Sequence, residues 1–160
     1  MEIPKEIENF LSQMIPSSGQ IDIGFELFEF PSVEKLIEYQ IGYRCHAITN
    51  EREKDWKENW VVFGASNADP LIYNTNNKEV LFDRHGAGRW SPVTLFTNLN
   101  EMYNCFIKIS KIIEKAGKNF HDNDFNIRSR YVQIIKNTIL NAVGLEQGNR
   151  IIEYLEIREY

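Results

Sequence analysis

Four short stretches of this chain gather residue types that do chemistry. Asp69 stands directly before Pro70, and His85 opens the run His85-Gly-Ala-Gly-Arg-Trp90. Cys45 adjoins His46, and His121-Asp-Asn-Asp124 places ligand types close together. Imidazole changes charge near neutral pH, so His85 with Asp69 and Arg89 would suit proton transfer, a weak hydrolase, or a small-ligand or nucleotide-binding regulator. Gly86 and Gly88 lack a Cβ, which lets a ligand or another backbone approach closely.

Each stretch has a plainer reading, and the plainer reading weighs more. An Asp before a Pro commonly shapes a turn by accepting nearby backbone amides, and no acid-base partner stands at a fixed spacing from Asp69. His85 is better used in a structural hydrogen bond to a loop carbonyl. Gly86-Ala-Gly88 completes neither the GxGxxG nor the GxxxxGK[ST] pattern of a phosphate loop. Neighbours on a strand point to opposite faces, which argues against Cys45-His46 as nucleophile and base. His121, Asp122 and Asp124 follow neither a zinc spacing nor the ordered acidic loop of a calcium hand. No metal, no cofactor and no enzymatic activity are expected.

Recognition is the richer chemistry here. Trp56, Trp60, Trp90, Tyr43 and Tyr73 are large aromatics with polar tips, the kind enriched at interface hot spots, and Arg84 and Arg89 could flank such a patch. Trp60 and Tyr73 lie within strand-like runs and are expected to fill the core, although Tyr73 stays among the binding candidates. Trp56 lies in a charged loop and Trp90 follows a Gly-rich turn, so both are expected at the surface.

Those residues must be positioned by the elements around them. Ile3, Ile7, Phe10, Leu11, Met14 and Ile15 are spaced for an amphipathic helix that Pro16-Ser-Ser-Gly19 ends. Residues 21–30 alternate in part and predict a short strand or an extended arm, weakened by Gly24. Ser32 is placed to cap a helix through Val33, Leu36, Ile37 and Tyr39 that Gly42 stops. The charged piece 50–59 has no apolar face except Trp56 and reads as a solvated loop.

Three strands then follow: 60–63, ended by Gly64; 70–73, closed by Asn74-Thr-Asn-Asn77; and 79–85, where Val80, Phe82 and Arg84 alternate with Leu81, Asp83 and His85. Short polar turns between them predict antiparallel pairing. Asn98-Leu-Asn-Glu101 is a capping box that opens the longest helix, which runs through Leu99, Met102, Phe106, Ile109 and Ile113 to Gly117. After a polar connection over 118–126, Tyr131 to Ala142 predicts another helix, ended by Gly144 with Leu145 as the apolar residue that follows such a cap. A last helix or helix-strand piece covers roughly 147–157. Helices before and after a strand cluster, without strand-helix-strand alternation, predict one α+β domain over 1–160, with helices packed around a mostly antiparallel sheet.

Composition narrows the partner. Eighteen Lys plus Arg against 23 Asp plus Glu give a net charge of −5. That balance argues against direct binding of nucleic acid, whose affinity rests on cationic side chains. Two cysteines outside any CxxC pair fit a reducing compartment. Acidic residues near the N-terminus and the lack of a long apolar run predict a cytoplasmic protein with no membrane contact.

The ordered combination carries a resemblance. Glu38-Tyr-Gln-Ile-Gly-Tyr43, a charged loop, Trp60-Val-Val-Phe-Gly64, Asp69-Pro-Leu-Ile-Tyr73, a Val-Leu-Phe strand, His85-Gly-Ala-Gly-Arg-Trp90, Pro92 and Phe96-Thr-Asn-Leu99 together resemble the SUKH superfamily, the Smi/Knr-type domain. The likeness covers most of residues 36–106. It implies a single α+β domain; bacterial members are largely regarded as immunity proteins that bind and neutralise a cognate toxin, often a nuclease or deaminase domain, and fungal relatives are regulatory interaction modules. The chain departs from the pattern where Phe96-Thr-Asn-Leu99 replaces the usual Ser-Phe before the long helix, and Asn98 supplies the same acceptor.

The reading that follows is a non-enzymatic bacterial binding protein whose acidic loop, with Glu51, Glu53, Asp55 and Glu58, docks on a basic cognate toxin. Trp56, Asp69, Tyr73, His85, Arg89 and Trp90 complete the candidate binding set. The alternatives are the small-ligand or nucleotide-binding regulator around His85, and a scaffold module that takes a peptide at the sheet edge.

Overall fold

In the computed structural model, which describes residues 2–159, the central strands bury both of their faces, and the rest of the chain is arranged to cover them. Six strands form a meander in which each pairs antiparallel with the next: β1 (Gln20–Asp22), β2 (Leu27–Glu29), β3 (Trp60–Ser66), β4 (Asp69–Asn74), β5 (Val80–Phe82) and β6 (Val93–Phe96). Helix α1 (Lys5–Gln13) precedes them; α2 (Leu99–Ala116), α3 (Ser129–Val143) and α4 (Leu145–Tyr154) follow. The protein is therefore α+β, with a mostly antiparallel sheet between earlier and later helices. No helix of the described residues is long and apolar enough to cross a membrane.

Side chains alternate faces along a strand, and this alternation sorts the core into two. Val61, Phe63, Leu71, Tyr73, Val80 and Phe82 join Ile7, Phe10, Phe106, Ile109, Ile135, Ile139 and Ile151 in one large cluster on the helical side. Trp60, Val62, Ile72 and Leu81 point the other way and form a smaller cluster with Trp56, against which Tyr39, Tyr43 and Trp90 pack. No α-helix contributes to this second cluster.

Several local expectations change in the fold. The predicted short strand of 21–30 is a hairpin of two strands, and Asp22 Oδ1 accepts the Gly24 amide at 2.7 Å in its turn. The predicted helix after Ser32 is instead two 3-10 turns, Val33–Lys35 and Glu38–Gln40, with Leu36 and Gln40 buried and Ile37 and Ile41 exposed. Gly64 does not end its strand. β3 runs on to Ser66 through a register shift between Val62 and Gly64, and a Cβ at Gly64 would lie 2.8 Å from the Phe30 ring. β5 stops at Phe82, so Asp83, Arg84 and His85 belong to a loop. Leu145 does not fold back on α3; it is exposed and opens α4. One half of the capping box forms: Asn98 Oδ1 accepts the Glu101 amide at 2.9 Å, while the Glu101 carboxylate reaches past Asn98 to the Thr97 amide at 2.8 Å.

One side of β3 has no strand along its first half, since β2 meets it only at Ala65 and Ser66. The side chain of Gln40 takes the place of a strand there. Its Oε1 accepts the Val62 amide at 2.9 Å, and its Nε2 donates to the Val62 carbonyl at 2.6 Å and to the Leu36 carbonyl at 2.9 Å. Trp56 Nε1 donates to the next free carbonyl, Trp60, at 3.3 Å. Gln40 is buried, so removing its amide takes that partner from three backbone groups away from water. Gln40→Leu is expected to lower stability by about 2–4 kcal/mol in urea unfolding, and an unchanged midpoint would refute this role.

Candidate functional site

The site is built where β4 begins and β5 ends, which antiparallel pairing places side by side. Asp69, the first residue of β4, accepts the His85 amide on Oδ1 at 2.7 Å and Arg84 Nη1 on Oδ2 at 2.6 Å. The expected role of Asp69 as a shaper of backbone holds, but the amide it takes belongs to the loop after β5 and not to its own turn. Asp83 closes the same loop by accepting the Ser91 amide at 2.6 Å. Between these two anchors Gly86 and Gly88 take φ of 91° and 80°. Nothing lies within 4 Å of a Cβ built on either, so glycine is required there by backbone conformation and not by crowding.

Arg84 is the hub below the loop. Besides Asp69 it pairs with Glu26 Oε1 at 2.8 Å, next to β2, and donates to the Tyr154 carbonyl at the end of α4 at 3.0 Å. Glu26 in turn accepts the Ser66 hydroxyl. Burial by itself would lower the pKa of the guanidinium, but its hydrogen bonds to Asp69 and Glu26 outweigh that and raise it. The sheet start, the first hairpin and the last helix thus meet at one cation. No sequence signal pointed to Arg84 as more than a flank, because its partners are distant in the chain.

Aromatic rings form a wall beside the loop. Trp56 meets Trp60 and Trp90 edge-on, with ring centres 5.6 and 5.3 Å apart. Tyr43 lies 5.9 Å from Trp90, and the exposed His85 ring tilts against Trp90 at 5.8 Å. Trp56 was expected at the surface and is not: it is 2% exposed, because the far face of the sheet needs a large apolar side chain and no helix supplies one. Tyr73 also leaves the binding set. It fills the helical-side core, and its hydroxyl donates to Glu6 at 2.7 Å. Trp90 is half-buried, and His85 uses its backbone amide, not its ring, for the structural hydrogen bond.

Above the wall a cleft of about 440 Å³ opens between residues 42–55 and 84–90. It brings Glu53 and Asp55 of the charged loop to His85, Arg89 and Trp90, with His46 and Arg84 also at its edge. Proximity of these two segments was not readable from their separation in sequence. Asp69 lies among the groups that hold the cleft and does not line it; Glu51 stands outside it. Glu58 is withdrawn from the acidic loop by ion pairs with Arg44 and Arg52. His46 holds its own turn, with Nδ1 accepting the Ile48 and Thr49 amides at 3.3 and 3.2 Å. Among the described residues no cluster of His, Cys, Asp or Glu could hold a metal ion. Burial pushes the Cys105 thiol up to about 12, which leaves it protonated and unreactive at neutral pH.

Two measurements test this construction. Asp69→Ala is expected to cost about 1.5–3 kcal/mol, the range for a charge-assisted hydrogen bond, and to speed hydrogen exchange at the His85 amide; retained protection there would mean Asp69 does not hold the loop. Burial, followed by the neighbouring Tyr43 and Glu29, pushes the Tyr39 phenol up from 10.0 to about 12, and burial with the nearby Asp69 raises Tyr43. The folded-state pKa lies above the unfolded one, so this stabilisation is complete below pH 10.0 and is lost as pH rises through about 12. Spectrophotometric titration should show these phenols ionising late, and Tyr39→Phe should flatten the loss of stability between pH 10.0 and about 12.

With this geometry in place, comparison with known proteins adds no relative: the chain matches no protein-family model, no curated protein and no solved structure.

Proposed function

We propose that this chain is a non-enzymatic binding protein, an immunity protein of SUKH type that neutralises a basic toxin by covering its active site. The observation that carries the proposal is the face formed by the charged loop and the cleft. Glu51, Glu53 and Asp55 enter no ion pair among the described residues, and Ile48, which is 89% exposed, precedes them closely in the chain, with Ile41 exposed as well. A segment that carries both exposed apolar side chains and carboxylates outside any ion pair suits a basic protein surface, since complementary charge speeds encounter and sets orientation while buried apolar contact holds the complex.

The other readings have less support. A hydrolase on Asp69 and His85 would need a carboxylate able to orient the imidazole, and both oxygens of Asp69 are taken by Arg84 and the His85 amide. Peptide addition at the β6 edge would compete with α4, whose Arg150 and Gln147 already donate to the Thr94 and Leu95 carbonyls at 3.1 and 2.9 Å. A toxin encoded beside this chain would be the partner to test. Wild-type protein in excess should abolish that toxin's activity, and the triple variant Glu51→Lys, Glu53→Lys, Asp55→Lys should bind at least about tenfold more weakly with an unchanged melting temperature. A toxin that stays fully active in the presence of excess wild-type protein rules out the pairing.

A further inference from the structure

The cleft between the charged loop and the His85 corner has a more specific chemistry than a general acidic surface. Its two cations do not balance the anions around them. Arg84 is held by both Asp69 and Glu26, while Arg89 lines the cleft together with Glu53 and Asp55, and none of these three enters an ion pair among the described residues. Counted with Asp69 and Glu26, which hold Arg84 from behind the lining, the carboxylates about the cleft number four against two guanidinium groups. Its wall is the half-buried indole of Trp90, fixed edge-on by Trp56 and flanked by Tyr43 and His85. A net-negative cleft with a rigid aromatic wall attracts a cation, and an indole face is the best of the aromatic partners for one.

We propose that this cleft takes a single arginine side chain from the basic partner, stacked on Trp90 and paired with Glu53 and Asp55. Arginine fits better than lysine because its guanidinium is planar, sheds water readily and presents a fork of donors that matches carboxylates, whereas an ammonium is a strongly hydrated point charge. The anchor is preorganised: the loop that carries Trp90 is tied by Asp69 at one end and Asp83 at the other, so little ordering accompanies entry. Arg89 lines the same cleft and opposes the guest. This inference rests on the binding-protein reading and names the residue type through which the partner would be gripped.

The test uses the whole protein and the tripeptide acetyl-Gly-Arg-Gly-amide, followed by the Trp90 indole N–H resonance. The arginine peptide should shift that resonance saturably in the millimolar range, and the peptide with neutral citrulline in place of arginine should not. The double variant Glu53→Gln, Asp55→Asn, both at the surface, should weaken binding about tenfold, and Arg89→Ala should strengthen it about threefold by removing the opposing charge. Equal binding of the citrulline peptide, weaker binding by Arg89→Ala, or inorganic phosphate shifting the resonance at lower concentration would each overturn the proposal, the last two in favour of an anion site. If the peptide leaves Trp90 unmoved while toxin binding still depends on the acidic loop, the arginine anchor falls and the binding-protein reading stands. If neither occurs, both fall.

Discussion

The side-chain amide of Gln40 completes the backbone of Val62 on the stretch of β3 that no strand reaches, and the far side of the molecule is organised around that contact. A sheet whose central strands are apolar on both faces must be covered twice. Helices cover one face. On the other, a chain without regular structure has to approach the sheet closely enough to exclude water, and an approaching loop brings polar backbone that must be satisfied. Gln40 resolves this by carrying both a donor and an acceptor to the sheet edge, as a neighbouring strand would. With Gln40 fixed, Leu36 reaches the core, Tyr39 and Tyr43 lie over the second cluster, and the charged loop starts from a defined place.

The cleft is a consequence of the same two-sided burial. Trp56 is drawn under the loop to fill the far face, which leaves Glu53 and Asp55 on the rim around it. The opposite rim comes from the chain leaving β5, which Asp69 and Asp83 hold in a narrow loop. Arg84 then joins that loop to the first hairpin and to the end of α4, so the rim is braced against elements from both ends of the chain. A surface held this firmly would give up little conformational freedom to a partner of the kind proposed.

Much of the fold was legible because it rests on local signals. The cap at Asn98, the apolar period through Ile109, the β-favouring run 60–63, the first part of the alternation expected over 79–85 and the polar turns between strands each express short-range physics, and each appears in the fold. The failures share a cause as well. The helix expected after Ser32 had adequate local spacing, yet the segment folds as two tight turns whose buried Gln40 is bonded to Val62, a partner 22 residues away in the chain. Gly64 looked like a strand end, whereas the Phe30 ring occupies the space where a side chain would be. Trp56 looked exposed because its sequence neighbours are charged, and those neighbours do not reveal that its ring is needed beneath them.

Pattern along the chain was enough for the class of fold, the three central strands and the helices before and after the sheet, because these depend on periodicity, capping and composition. Assembly in three dimensions settled which of those residues meet. Asp69 became a support and not a reactive group, Tyr73 and Trp56 became core, Glu58 was neutralised by Arg44 and Arg52, and Glu53 and Asp55 were carried to Trp90 and Arg89. The physical reason is that burial and ion pairing depend on distances through space, and in a meander whose far face is covered by loops those distances arise only when the whole sheet closes.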